Sequence, residues 1–438
     1  MAPPGADPQA GRVLLLGWNA GRAAAALAGL GARVTCVTEP SQAAAARNSG
    51  LVERTVAVAD SADTEAVLAA LARAGRRPHD YAAVAPSQEL RMVAASVLGA
   101  LGGTRALPLA TALALRDKAL QKHLIRTAGI PTARSVVAES PVEVPLAPFA
   151  FPVVVKALNG HGSLGAERLR SPAHARTWTY RPGDDGPWQV EEFVPGPEIH
   201  LDGAVRGGVV TALAASRYLG NVLDTHHGAP MGSVVADPRR DPDLYRHGRS
   251  LATRALAALG HDDGVFHLEA FEQPDGSLVF GECAGRVAGG RIDEVVRRKF
   301  GVDLHAQWAA ALLGLPAPPA AAHPDDEAFG FLRLSAAPGV VDEAPDIEEI
   351  LSRDGVVTAE HERRTRGART GRPVSFAVFR AVLTGKDEAH VAQHAQDLTA
   401  WFDHRMDRIV RGKAGIAEDD HANAQSSTGM LANKEVGP

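Results

Sequence analysis

Two glutamates carry the strongest chemical signal in this chain. Residues 266–290 read FHLEAFEQPDGSLVFGECAGRVAGG: two short apolar runs around Pro274-Asp275-Gly276-Ser277, residue types that make a tight turn. With those four as the loop, Gln273 is expected opposite Leu278, and the same ladder sets Glu269 across from Glu282, with His267 on the same face. Facing carboxylates repel and weaken a hairpin. A divalent cation turns the repulsion into a site, and oxygen ligands suit Mg²⁺, with Mn²⁺ an alternative. Arg286 follows four residues after Glu282, and Gly289-Gly290-Arg291 comes next, so cationic and backbone donors stand close to the proposed metal. The competing reading is a solvated acidic hairpin.

A second cluster lies upstream. Val153-Val154-Val155-Lys156 reads as a strand delivering a lysine to its end, and Asn159-Gly160-His161-Gly162-Ser163-Leu164-Gly165 follows. Closely spaced glycines let backbone N–H groups approach an anion, and Ser163 adds a hydroxyl. The lysine precedes the glycines, so this is not a Walker loop. The entropy of such a loop predicts a lid that phosphate would order. Further on, Gln189-Val190-Glu191-Glu192-Phe193-Val194-Pro195-Gly196-Pro197-Glu198 is a strand that leaves the sheet at Pro195. Such a strand could offer backbone groups to an adenine edge, with Glu198 near a ribose hydroxyl; for Glu191 and Glu192 the competing reading is a solvated strand end.

These pieces occur in a fixed order. Arg116-Asp117-Lys118 with Ala128-Gly129-Ile130-Pro131-Thr132 comes first, then Phe151-Pro152 leading into Val153 to Lys156, then the hinge at residues 190–198. Last come His267-x-Glu269, Glu282-x-x-x-Arg286 and Gly289-Gly290. Together they resemble the ATP-grasp superfamily over residues 113–315. The resemblance implies two α+β lobes that clamp ATP. Residue by residue, it implies phosphate contacts from Lys118 and Lys156, closure by Gly162 and Ser163, and adenine contacts from Glu191, Glu192 and Val194. It assigns the ribose to Glu198 and Mg²⁺ to Glu269 and Glu282. Many members carry an asparagine two residues after the second metal glutamate; here that position is Ala284, which weakens the case for two tightly held metals. The pattern Glu-x-x-x-Arg-x-x-Gly-Gly is similar to the amino-acid ligase branch, which includes dipeptide ligases and carnosine synthase. There Arg286 and the Gly289 backbone would stabilise an acyl phosphate and the tetrahedral intermediate.

The implied activity is ATP-dependent joining of a small carboxylate to a small amine. A carboxylase-type member working through carboxyphosphate and a non-catalytic ATP-binding regulator are the alternatives. His226 and His227, in a loop before the hairpin, are candidate bases for the attacking amine; two exposed loop histidines are the competing reading. Arg291 is a candidate partner for a substrate carboxylate, while Arg297 and Arg298 read as a solvated helix face.

The elements that must position these residues are those of an α/β protein. Val13-Leu14-Leu15-Leu16, Val34-Thr35-Cys36-Val37, Thr55-Val56-Ala57-Val58 and Tyr81-Ala82-Ala83-Val84 alternate with helical stretches, which predicts a Rossmann-like parallel sheet over residues 1–112. The turn Gly17-Trp18-Asn19-Ala20-Gly21 lacks dinucleotide spacing. The grasp domain should then split into a small lobe, 113–188, and a metal-binding lobe, 189–315. Pro316-Ala317-Pro318-Pro319 reads as a linker to a small α+β domain over 325–415, ending in a helix near residues 388–402. A polar tail, 416–438, is expected to lack order. The 438 residues carry a net charge of −5, giving no general case for nucleic acid or an anionic membrane. Two cysteines, Cys36 and Cys283, exclude a disulfide framework and suit a cytoplasmic compartment. A homodimer is compatible with this reading.

Overall fold

In the computed structural model the described residues are 11–140, 143–144, 148–160, 166–178, 186–227, 230–321, 324–335, 344–362 and 377–428. The apolar strands read from the sequence form the first sheet. β1 (Arg12–Leu16), β2 (Arg33–Thr38), β3 (Arg54–Ala57) and β4 (Ala83–Pro86) are parallel, in the order β3-β2-β1-β4. Alanine-rich helices cover both faces, as a sheet buried on two sides requires. Leu14 and Leu16 pack into one apolar cluster and Val13 and Leu15 into another.

A second sheet takes β5 (Ser135–Ala138), β6 (Val153–Ala157), β7 (Glu167–Leu169) and β8 (Trp188–Glu192), antiparallel in the order β5-β8-β6-β7. The third sheet is the largest. It takes β9 (Glu198–Arg206), β10 (Val209–Tyr218), β11 (Met231–Val235), β12 (Gly264–Glu272), β13 (Leu278–Ala284), β14 (Ala328–Ser335), β15 (Val356–His361) and β16 (Ala377–Gly385), in the order β13-β12-β9-β10-β11-β14-β16-β15. The strands beyond the proline linker therefore do not form a sheet of their own. β14 pairs with β11, Ser233 opposite Phe331, so one sheet joins the strands before the linker to those after it.

Two expectations change. The last helix runs Glu388–Thr428, well past residue 402, so 416–428 are helical where no order was expected. No proline interrupts that stretch, and its alanines and charged residues are compatible with a helix. Residues 429–438 lie outside the described residues. The hairpin turn is also one residue longer than expected. Glu272, not Gln273, pairs with Leu278, and the ladder then shifts at a bulge, so that Ala270 pairs with Phe280 but Glu269 still faces Glu282. Gly281 is the extra residue; a Cβ there would meet the Glu269 carbonyl oxygen at 2.8 Å. Among the described residues no helix is long and apolar enough to cross a membrane.

Candidate active site

The site is a cavity of about 630 Å³ lined by all three sheets. Lysines gather at its deep end. Asp117 caps the helix Lys118–Thr127, its side chain accepting from the Leu120 N–H, and this fixes the first turn. Lys118 Nζ lies 2.8 Å from Glu282 Oε1 and donates to the Gly160 carbonyl oxygen at 2.9 Å. Lys122, one turn further on the same helix face, reaches Glu191 Oε2 at 3.2 Å and donates to Thr132 Oγ1 at 2.9 Å. Lys156, at the end of β6, lies 2.5 Å from Glu191 Oε1 and 3.9 Å from Glu282 Oε2.

Glu191 thus bridges two buried ammonium groups. Burial alone would raise its carboxyl, but Lys122 and Lys156 outweigh burial and hold it down at about 2. For Lys122 burial wins, and its ammonium is easier to deprotonate than usual despite Glu191. Burial also pulls on Lys156, but Glu191 and Glu282 together keep it above the ordinary range.

The two facing glutamates are not left to repel. Glu282 has Lys118, and Glu269 has His267, whose Nε2 lies 3.4 Å from Glu269 Oε1, and the Tyr218 hydroxyl, which donates to the same oxygen at 3.3 Å. His267 and Lys156 hold Glu269 below the ordinary carboxyl range against burial. Glu198 goes the other way: burial and the charge of Glu269 push it up, although it accepts from the Val222 N–H at 3.0 Å. Three lysines converging on Glu191 and Glu282 fit a polyphosphate with a divalent cation, because phosphate oxygens would share the lysines and the cation would separate Glu269 from Glu282.

Arg286 stands beside this group. Its Nε donates to Glu89 Oε2 at 2.7 Å, while Arg116 Nη1 donates to Glu89 Oε1 at 2.6 Å and Arg116 Nη2 to the Asn159 carbonyl oxygen. Glu89 is only 6% exposed and, against burial, Arg286 and Arg116 keep it ionised. A residue of the first sheet's domain therefore orients the arginine of the hairpin.

Of the residues singled out in the sequence, Lys118, Lys156, Glu191, Glu269, Glu282 and Arg286 come together, and Val194, Glu198 and Gly289 line the same cavity. Glu192 also borders it, but its carboxylate is engaged by Arg134 at 2.5 Å, since neighbours on a strand face opposite ways. Glu191 sits with the lysines, its carboxylate between Lys122 and Lys156. Gly162 and Ser163 lie outside the described residues. His226 and His227 fall in the short helix Val222–His227, and their side chains lie outside the described residues. Arg291 is engaged by Glu294 and by Glu360 at 2.9 Å, and Arg298 by Glu294, so neither is a free cation. Cys283 is buried, with its thiol pushed up by desolvation. Lys122, Glu89, Asp202, His200 and Tyr218 were not read from the sequence. For Lys122 the i, i+4 spacing from Lys118 was the available signal, whereas Glu89 had none.

No protein-family profile matches the chain. The L-arginine-specific L-amino acid ligase of Bacillus subtilis is 25% identical over 261 residues, 57% of this chain and 62% of the relative. The phosphoribosylamine–glycine ligase of Streptomyces coelicolor is 31% identical over 207 residues, 45% of this chain and 48% of the relative. The chain thus spans less than two thirds of either relative's length. The crystal structure of carboxyaminoimidazole ribonucleotide synthase from Aspergillus clavatus complexed with ATP superposes with a TM-score of 0.69, at 18% identity, over 90% of this chain and 98% of that one. The chain has the ATP-grasp fold. The sheet β5-β8-β6-β7 and the β9–β13 part of the large sheet both contribute residues to the cavity that holds the lysine–glutamate cluster.

Proposed function

We propose that this protein is an ATP-dependent ligase that joins the carboxylate of one small amino-acid-like substrate to the amine of another. The observation that carries this reading is the convergence of Lys118, Lys122 and Lys156 on Glu191 and Glu282, with Arg286 beside them. A carboxylate does not acylate an amine directly, because oxide is not a viable leaving group. In the proposed reaction a carboxylate oxygen attacks the γ-phosphorus of ATP, and ADP departs. The amine nitrogen then attacks the acyl carbon, a C–N bond forms, and phosphate leaves with one of the original carboxylate oxygens. Such transfers are catalysed chiefly by positioning and charge neutralisation.

The lysines would hold phosphate oxygens, and Glu269 and Glu282 would hold Mg²⁺, which supplies neutralisation of the transferred charge. Arg286, oriented by Glu89, would stabilise the negative charge on the activated carboxylate, aided by the Gly289 backbone. His226 and His227 are candidates to accept the amine proton. The B. subtilis relative's name favours amino-acid substrates, whereas the Aspergillus neighbour favours a carboxylase-type reaction. ADP release that needs both a carboxylate and an amine supports the ligase; release that needs bicarbonate supports the carboxylase. Glu282→Gln is expected to remove nearly all turnover and Glu269→Gln much of it, with neither unfolding the protein. Wild-type rates in both variants would contradict the metal assignment.

A further inference from the structure

A buried polar stripe crosses one face of the large sheet, and most of it lies beyond the groups assigned above. Register sets it: Glu282 on β13 faces Glu269 on β12, His267 on β12 faces Asp202 on β9, Glu269 also faces His200 on β9, and Tyr218 on β10 faces Ser233 on β11. Asp202 and His200 are fully buried, His267 is 8% exposed and Ser233 3%. Asp202 sits at the centre. Its Oδ2 is 2.5 Å from His200 Nδ1 and its Oδ1 is 2.9 Å from His267 Nδ1. A carboxylate only accepts, so both rings carry hydrogen on Nδ1. His200 Nε2 lies 2.7 Å from Ser233 Oγ, and its ring packs against Tyr218 with centroids 4.8 Å apart.

Burying a carboxylate and two imidazoles in a sheet is costly unless every group is satisfied, and here each has partners. The stripe ends at one atom. His267 Nε2 and the Tyr218 hydroxyl both converge on Oε1 of Glu269, at 3.4 and 3.3 Å. Glu269 Oε2 receives neither donor.

We propose that Asp202 is a positioning residue for the metal site: through His267, with Tyr218 alongside, it holds Glu269 Oε1 and leaves Oε2 to the divalent cation. This rests on the reading of Glu269 as a metal ligand. Groups that orient a ligating carboxylate from behind matter to metal affinity, whereas groups that merely fill the sheet do not.

The test is Mn²⁺ affinity of the full-length protein with ADP present, read by electron paramagnetic resonance of free Mn²⁺, beside ADP affinity without metal. Asp202→Asn should weaken Mn²⁺ binding by about 10- to 100-fold, while metal-free ADP affinity stays within about twofold, a difference too small to reflect a lost contact. Ser216→Ala, a buried change opposite His200 on the same face, should leave both unchanged. If Asp202→Asn fails to fold, His267→Gln and Tyr218→Phe address the same oxygen. Folded variants with wild-type Mn²⁺ affinity would overturn the proposal, as would an equal loss in Ser216→Ala. A metal retained without ADP and lost in Asp202→Asn would also overturn it, by making His200, Asp202 and His267 ligands themselves. If Glu269→Gln leaves Mn²⁺ affinity unchanged, the metal assignment fails instead.

Discussion

Glu191 is the residue on which the lysine cluster balances. It lies between Lys122 and Lys156, and removing its charge leaves two buried ammonium groups without their shared partner. Glu191→Ala should therefore cost on the order of 3–5 kcal/mol of stability, the usual result of breaking a buried pair. The pH dependence follows from its sign. Its carboxyl falls from an ordinary 4.5 to about 2 on folding, so its contribution is complete above 4.5 and is lost as pH falls towards 2. In Glu191→Gln, stability by urea titration should fall less steeply across that acid window; an unchanged slope would contradict the assignment. Lys156 and Arg286 should separate kinetically. Lys156→Ala should raise KM for ATP, while Arg286→Ala should lower kcat with little change in nucleotide affinity; equal losses of affinity would count against the division. The pair Glu269 and Glu282 was legible because period two and a turn fix which side chains face each other. The same period turns the Glu192 carboxylate away from that of Glu191 and towards Arg134, although Glu192 still borders the cavity.

The hairpin β12–β13 shows how an element can correct its own turn. The loop takes one residue more than the sequence suggested, and the bulge at Gly281 restores Glu269 opposite Glu282. A glycine in a strand is a weak sign of a bulge, and it does not say on which side of the turn the register must slip. Only close packing against the Glu269 carbonyl oxygen makes the position specific. Gly281→Val should destabilise the protein by about 1–3 kcal/mol, as overpacking does, and should weaken Mn²⁺ binding by shifting the two glutamates apart. Denaturant midpoints and Mn²⁺ titration check both effects, and an intact metal site in the variant would show that the bulge does not set the register. The last helix was read too short for a simpler reason: beyond residue 402 the sequence is polar, and polarity alone does not separate an exposed helix from an unstructured tail.

At the scale of the whole molecule, the site is assembled from segments far apart in sequence. Glu89 comes from the segment after β4 of the first sheet, Arg116 from the turn before the helix Lys118–Thr127 and Arg286 from the end of the hairpin. Such a contact between residues 197 apart leaves no local trace in a sequence, which is why the strands of the first sheet were legible and their part in the site was not. Likewise the proline-rich stretch reads as a linker between domains, but the pairing of β14 with β11 continues one sheet across it. Glu89→Gln should reduce kcat about 10- to 100-fold, the range typical for a group that orients a reacting one, with metal-free ADP affinity unchanged; a parallel loss of both would make Glu89 purely structural. Oxygen transfer from the carboxylate to phosphate reports directly on an acyl-phosphate route. Amino acids labelled with ¹⁸O in the carboxylate are incubated pairwise with ATP and Mg²⁺, and the released phosphate is analysed by mass. An acyl-phosphate ligase should place one ¹⁸O in the phosphate for each amide formed, and only when an amine acceptor is present. Unlabelled phosphate accompanying amide formation, or release that depends on bicarbonate in place of the amine, would contradict it.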